Sequence, residues 1–269
     1  MDIGLIAALL LLGSFSGFAA GLLGIGGGML MVPFMTMLLT AEQFPEHLVL
    51  NIAIATSLAT IMFTSISSIH AHQKRGAVIW RIVKLLAPGI LIGSWIGPWI
   101  GNQLHPSGLA IFFAVFVALA ATQMLIDKKP AAARELPGVP GMFAVGGIIG
   151  VLSGLVGAGG GFISVPFMAR CNVKIHSAIG TSAALGFPIA LSGTLSNIYF
   201  GTSTPGLPAG SLGFVYLPAL LIISLVSITT APLGARLAHK LPVKTMKKVF
   251  AALLYLLACY MLWKGLRVG

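Results

Sequence analysis

The sequence predicts an all-α polytopic membrane protein made of two inverted-topology repeats. Each repeat is a glycine-rich broken or re-entrant helical hairpin followed by three transmembrane helices. Three observations carry this reading. Of the 269 residues, 57% are apolar or aromatic and only 8% are charged, with a mean hydropathy of +1.01. A soluble domain carries roughly 25% charged residues, so this chain has too few to coat a water-facing surface and must bury itself in the lipid bilayer. The chain also repeats itself, and its basic residues cluster on short loops.

The repeat begins at a glycine run. Gly13, Gly17, Gly21, Gly24, Gly26, Gly27 and Gly28 recur 133 residues later as Gly146, Gly150, Gly154, Gly157, Gly159, Gly160 and Gly161. The match continues through Val32-Pro33-Phe34-Met35 and Val165-Pro166-Phe167-Met168, then through Ala55-Thr56-Ser57 and Gly180-Thr181-Ser182. The first repeat occupies 1–127, a polar, Pro-rich linker 128–140, and the second repeat 141–269, all in one membrane domain.

A helical span needs about 20 mostly apolar residues. Stretches at 3–23, 47–70, 78–101 and 107–126 satisfy this in the first repeat, and 141–157, 175–200, 211–236 and 244–263 in the second. Two shorter pieces, 29–40 and 162–169, follow the glycine runs. As helices they reach only about 18 and 12 Å, short of a hydrocarbon core of about 30 Å. If each repeat opens with a hairpin returning to its own side, 14 of the 16 Lys and Arg residues fall on one side of the membrane. With four crossings per repeat the split is nine against seven. The positive-inside rule prefers the inverted arrangement, with Glu42 and Glu46 outside.

The net charge of +11 therefore reads as loop charge that sets orientation, not as a nucleic-acid surface. Met1-Asp2-Ile3 lacks a basic leader and reads as a retained first segment. Cys171 and Cys259 lie in different segments and suggest neither a disulfide nor a metal site. No cofactor motif and no nucleophile–base constellation is present, so enzyme chemistry is not expected.

The glycines divide by spacing. Gly13, Gly17 and Gly21, with Gly146, Gly150 and Gly154, stand four apart and form smooth stripes for helix packing in lipid. Gly89, Gly93, Gly97 and Gly101 form a third stripe, which would serve equally within one chain or between copies in a homo-oligomer. Gly26, Gly27 and Gly28, and Gly159, Gly160 and Gly161, instead break a helix through backbone freedom. The restarted helix presents bare N–H groups and about half a positive charge, a ready anion site. Paired breaks of this kind hold substrate in transporters built from inverted repeats.

All five acids (Asp2, Glu42, Glu46, Asp127 and Glu135) fall in loops or termini, so no span offers a carboxylate to a cation or a proton relay. The spans carry hydroxyls: Thr56, Ser57, Thr60, Thr64, Ser65, Ser67 and Ser68 in one repeat, and Thr181, Ser182, Ser192, Thr194 and Ser196, with Asn197, in the other. The repeated Thr56-Ser57 and Thr181-Ser182 pairs stand out, with Asn51 and His176 at equivalent positions ahead of them. His70, His72, Lys74, Arg75, Arg81 and Lys84 form a basic inner mouth that concentrates anions. Trp80 and Trp263 read as interfacial anchors. These features predict a small anionic substrate.

The two runs Gly-Leu-Leu-Gly-Ile-Gly-Gly-Gly at 21–28 and Gly-Leu-Val-Gly-Ala-Gly-Gly-Gly at 154–161, each leading into Val-Pro-Phe-Met, resemble the TauE/SafE family of membrane permeases. With the Thr-Ser pairs, the resemblance covers nearly the whole chain. It implies transport, most often export, of small sulfur-containing anions such as sulfite, sulfoacetate or other organosulfonates. The sequence departs from strict duplication in having His176 where the first repeat has Asn51. The expectation is a multi-pass secondary transporter of the inner (plasma) membrane, working by alternating access at a midplane site. The alternatives are a permease for another small anion, a metal ion or a neutral solute, and a non-transporting scaffold whose basic stretch 236–248 docks a partner.

Overall fold

The computed structural model describes residues 3–23, 27–126, 135–237 and 243–268. In the first half these form α1 (Ile3–Leu23), α2 (Gly28–Ala41), α3 (Glu46–Gln73), α4 (Trp80–Gln103) and α5 (Pro106–Ile126). The second half contains α6 (Val139–Val156), α7 (Gly161–Arg170), α8 (Ile175–Gly201), a hairpin of β1 (Ser211–Leu212) and β2 (Val215–Tyr216), α9 (Leu217–Leu237) and α10 (Val243–Val268). Among the described residues eight helices are long and apolar enough to cross a membrane, and α2 and α7 are the short ones. The last residue of the first repeat, 127, and the linker's 128–134 lie outside the described residues.

One expected span changes character. The stretch 211–236 begins as a hairpin, with Ser211 opposite Tyr216 and Leu212 opposite Val215, and becomes helical only at Leu217. Gly206, Gly210 and Gly213 take φ values of 78°, 84° and 55°, which interrupt a helix. Phe214, Val215 and Tyr216 are buried, so the start of the stretch lies in the core and the span itself is α9, Leu217–Leu237. Short apolar runs do not distinguish these two fates. Pro33 and Pro166 lie inside α2 and α7, in the second turn. Each is the sixth residue of its helix, where it removes one i to i−4 hydrogen bond.

The glycine stripes decide the packing. A Cβ on Gly89 would stand 2.0 Å from the Phe143 carbonyl oxygen, and one on Gly93 2.2 Å from that of Gly147. Helix α4 therefore lies backbone to backbone along α6, running parallel to it. Likewise Gly13 abuts Ile223, and a Cβ on Gly21 would stand 1.9 Å from the Ala231 oxygen, so α1 runs parallel to α9. The Gly89–Gly97 stripe thus packs inside the chain, against α6. The pairing is reciprocal: the first helix of each half packs on the helix before last of the other half. At the centre α3 packs against α8, and α5 packs against α10. The central pair is 78% buried over its apolar window, whereas the other six spans are buried over half or less. Those six supply the lipid-facing surface.

The two ends of the bundle differ in charge. Arg75 Nη1 donates to the carbonyls of Ala235 and Arg236, bringing the α3–α4 loop to the end of α9. Lys74, Arg81, Lys84, Arg170 and Lys174 border the same end. At the opposite end Lys264 Nζ donates to Thr40 Oγ1, near Glu42, where α2 finishes, and Glu46, where α3 starts.

Candidate functional site

The interrupted segments follow from glycine stereochemistry. Gly27 caps the start of α2 at φ 70°, Gly157 ends α6 at 68°, and Gly160 caps the start of α7 at 74°. All three are left-handed, a conformation that costs an L side chain about 1–2 kcal/mol. Neither Gly27 nor Gly160 can offer a side-chain cap to its helix. Gly26 lies outside the described residues.

The structure brings the two breaks together. A Cβ on Gly28 would meet the Gly157 oxygen at 2.0 Å and the Ala158 Cα at 2.9 Å. Gly157 in turn rests against Val32 and the Ile54 backbone. Ser57 Oγ donates to the Gly157 oxygen at 2.8 Å, so the first half's α3 braces the second half's turn. In the second half Ser164 Oγ donates to Ser182 Oγ at 2.8 Å, tying α7 to α8. Gly161 is buried at the start of α7.

The repeated threonines have a reciprocal structural task. Buried Thr56 accepts a hydrogen bond from the Tyr216 N–H at 3.0 Å, immediately before α9. Thr181 accepts one from the Ile79 N–H at 2.9 Å, immediately before α4. Each half's central helix thus satisfies an amide at the entry of a helix from the other half. Removing one partner of a buried hydrogen bond costs about 1–3 kcal/mol. Thr181→Val and Thr56→Val are therefore each expected to destabilise the protein by that amount, read as earlier thermal unfolding in detergent. Asn51 and His176 are placed elsewhere. Asn51 Nδ2 donates to Asn102 Oδ1 at 3.1 Å, and His176 is exposed on the first turn of α8.

A small cavity with four hydroxyls in its wall lies beside the second break. Its wall is Ala20 of α1, Ile61, Thr64, Ser65 and Ser68 of α3, Gly159 of the α6–α7 turn, and Ser182, Ala183 and Gly186 of α8. About 10 Å³ of it is open to the centre of a water molecule, room for about one water. No ionisable side chain is in that wall. The Thr64 hydroxyl returns to the carbonyls of Thr60 and Ile61, and that of Ser65 to Met62. Ser68 Oγ is different: it is buried, at 2% residue exposure, and has no hydrogen-bond partner. Ser153 Oγ, 3.0 Å from where a Gly160 Cβ would stand, is likewise buried without a partner. Buried hydroxyls are nearly always paired; Ser68 and Ser153 lie beside the Gly159–Gly160 turn, and Thr194, Ser211 and Ser224 are buried without a partner elsewhere.

Of the residues singled out by repetition, Gly159 and Ser182 line the cavity. Gly27, Gly28, Gly160 and Gly161 shape the breaks around it, and Thr56, Ser57 and Thr181 serve as struts. Ser68 and Ser153 are the residues that repetition passes over. Their counterparts in the other half are Gly193 and Ala20, so symmetry hides them. The Thr64–Ser68 spacing of one helical turn is the signal that points to that face.

Among the described residues, eight helices long and apolar enough to cross a membrane place the chain in the class of polytopic membrane proteins. Residues 9–261 match the model of the sulfite exporter TauE/SafE family, and the chain belongs to that family. It is 41% identical to a probable membrane transporter protein of Haemophilus influenzae over 257 residues, covering 95% of this chain and 97% of that one. It is 28% identical to a probable membrane transporter protein of Methanocaldococcus jannaschii, covering 96% of each. With the probable membrane transporter protein YunE of Bacillus subtilis it shares 25% identity, covering 96% and 97%. No solved structure matches the chain.

Proposed function

We propose that the protein is a secondary transporter, working as an exporter, for a small sulfur-containing oxyanion such as sulfite or an organosulfonate. The observation that carries this is the unpartnered, buried Ser68 hydroxyl in a cavity walled by neutral donors beside the second helix break. Hydroxyls and helix-start amides hold an anion without a fixed counter-charge, loosely enough to release it. A carboxylate in the wall would repel the substrate, and none is there.

Alternating access is the mechanism this reading calls for. Room for about one water is too little for an oxyanion with several heavy atoms, which supports a cycle in which the halves separate to admit it. Inverted orientation of the halves is supported by the parallel pairs α1–α9 and α4–α6 and by the basic end. Helix α1 starts at the end bearing Glu42 and Glu46, and α6 starts at the end bearing Lys74 and Arg75. The positive-inside rule turns the basic end toward the cytoplasm, an orientation that suits the inner (plasma) membrane of this proposal. There the membrane potential drives an anion outward with about 2.3 kcal/mol per charge per 100 mV, which suffices for export. Of the basic stretch 236–248 on which a docking role would rest, residues 238–242 lie outside the described residues.

The test is counterflow in proteoliposomes with labelled sulfite, competed by sulfate, sulfoacetate and taurine. Saturable sulfite exchange, inhibited by sulfoacetate, is the expected result. Movement of a neutral solute or a metal ion with indifference to every anion would reject it.

A further inference from the structure

We propose that His72 is the proton-linked counter-charge of this cavity: a proton taken from water onto its imidazole strengthens anion binding, and the bound anion in turn retains that proton. The inference rests on the anion-transporter reading above. Among the described residues, His72 is the only Asp, Glu, Lys, Arg or His side chain that is buried, at 1% exposure. It lies four residues after Ser68 on α3, hence on the same face and about 6 Å further along the helix. The neighbouring helix makes the same connection. Ala20 of α1 lines the cavity, and the carbonyl of the next residue, Gly21, accepts a hydrogen bond from His72 Nε2 at 3.3 Å. Cavity and imidazole therefore share one seam between α1 and α3, at its basic end.

That hydrogen bond fixes the tautomer. Because a carbonyl can only accept, Nε2 carries a proton, and the charge changes at Nδ1. The titratable groups of the described residues at this end are His70 on α3 itself, Lys74 and Arg75 in the following loop, Arg81 and Lys84 on α4, Arg170 at the end of α7, Lys174 and His176 at the start of α8, Arg236 on α9, and the basic first turns of α10, Lys248 among them. The described residues of α1 and α2 contribute none. The surroundings are thus basic and oppose an added positive charge while the cavity is empty. The carbonyl ends of the last α3 turn favour one. An anion arriving one turn away tips this balance toward imidazolium. By linkage, the protonated protein binds the anion more tightly by the same factor. The step is reversible: imidazole plus a proton from water gives imidazolium, and the proton returns to water when the anion leaves.

His72→Gln keeps an amide N–H for Gly21 and cannot titrate. His72→Asn is shorter and equally uncharged, and provides the same comparison if Gln overpacks the seam. Labelled-sulfite binding to purified full-length wild type and variant is measured from about pH 5.5 to about pH 8. Protonation of sulfite itself affects both proteins alike and cancels in the ratio of their affinities. The expected result is a wild-type advantage of about tenfold or more at the acid end, falling to about one at the alkaline end. A ratio flat across the range, with sulfite still bound, overturns the role of His72 and leaves the transporter reading intact. A wild type that neither binds nor moves sulfite, sulfoacetate or taurine overturns both.

Discussion

Gly28→Ala is expected to reduce sulfite counterflow to below about one hundredth of wild type while the protein still inserts into the membrane. The added methyl would stand 2.0 Å from the Gly157 oxygen and 2.9 Å from the Ala158 Cα. Both obstacles are backbone, so no side-chain rotation relieves the overlap and the two breaks must part. Overpacking of a tight core costs typically 1–3 kcal/mol, and here the cost falls on the geometry that shapes the cavity. Gly76→Ala is the matching control. Gly76 also has a positive φ, 62°, but open space surrounds it, so that variant pays the backbone strain of about 1–2 kcal/mol without a collision. Full flux in Gly28→Ala, measured on monodisperse protein, would remove the contact between the breaks from the mechanism.

Ser68→Ala is expected to move stability and transport in opposite directions. The Ser68 hydroxyl is buried without a partner, and an unmet buried donor costs about 1–3 kcal/mol. Removing it should therefore raise the unfolding temperature. If the hydroxyl engages the anion, its loss should raise the KM for sulfite by about tenfold, one hydrogen bond to a charged group contributing about 1.5–3 kcal/mol. Thr64→Val is the comparison: its hydroxyl is already satisfied by Thr60 and Ile61, so a smaller change in KM is expected. A Ser68→Ala protein with unchanged KM would remove this residue from the anion path.

The sequence made the spans and their breaks legible because composition and glycine spacing are local signals. It named the glycine stripes as packing faces correctly, yet a stripe does not say which helix will lie on it. That Gly89, Gly93 and Gly97 face α6, rather than another copy of the chain, depends on contacts far apart in sequence. The hairpin at 211–216 was missed for a related reason: Phe214, Val215 and Tyr216 are as apolar as a span, and only tertiary burial separates the two. The site was half legible. Repetition draws attention to residues that both halves need, and Thr56, Ser57 and Thr181 turn out to brace one half against the other. A cavity with unlike walls uses residues that do not repeat, and Ser68 opposite Gly193 is such a case.

The reciprocal clasp between the halves also constrains how the protein is made. Helix α1 emerges first, yet the partner that fills its glycine face, α9, is synthesised roughly two hundred residues later, and contacts this distant are slow to form. Until then the newborn first half holds an unfilled groove in the bilayer, a vacancy for insertion machinery or lipid to shield. Expressed alone, neither half would have the complement that closes it, whereas the two co-expressed as separate chains carry every surface needed to assemble.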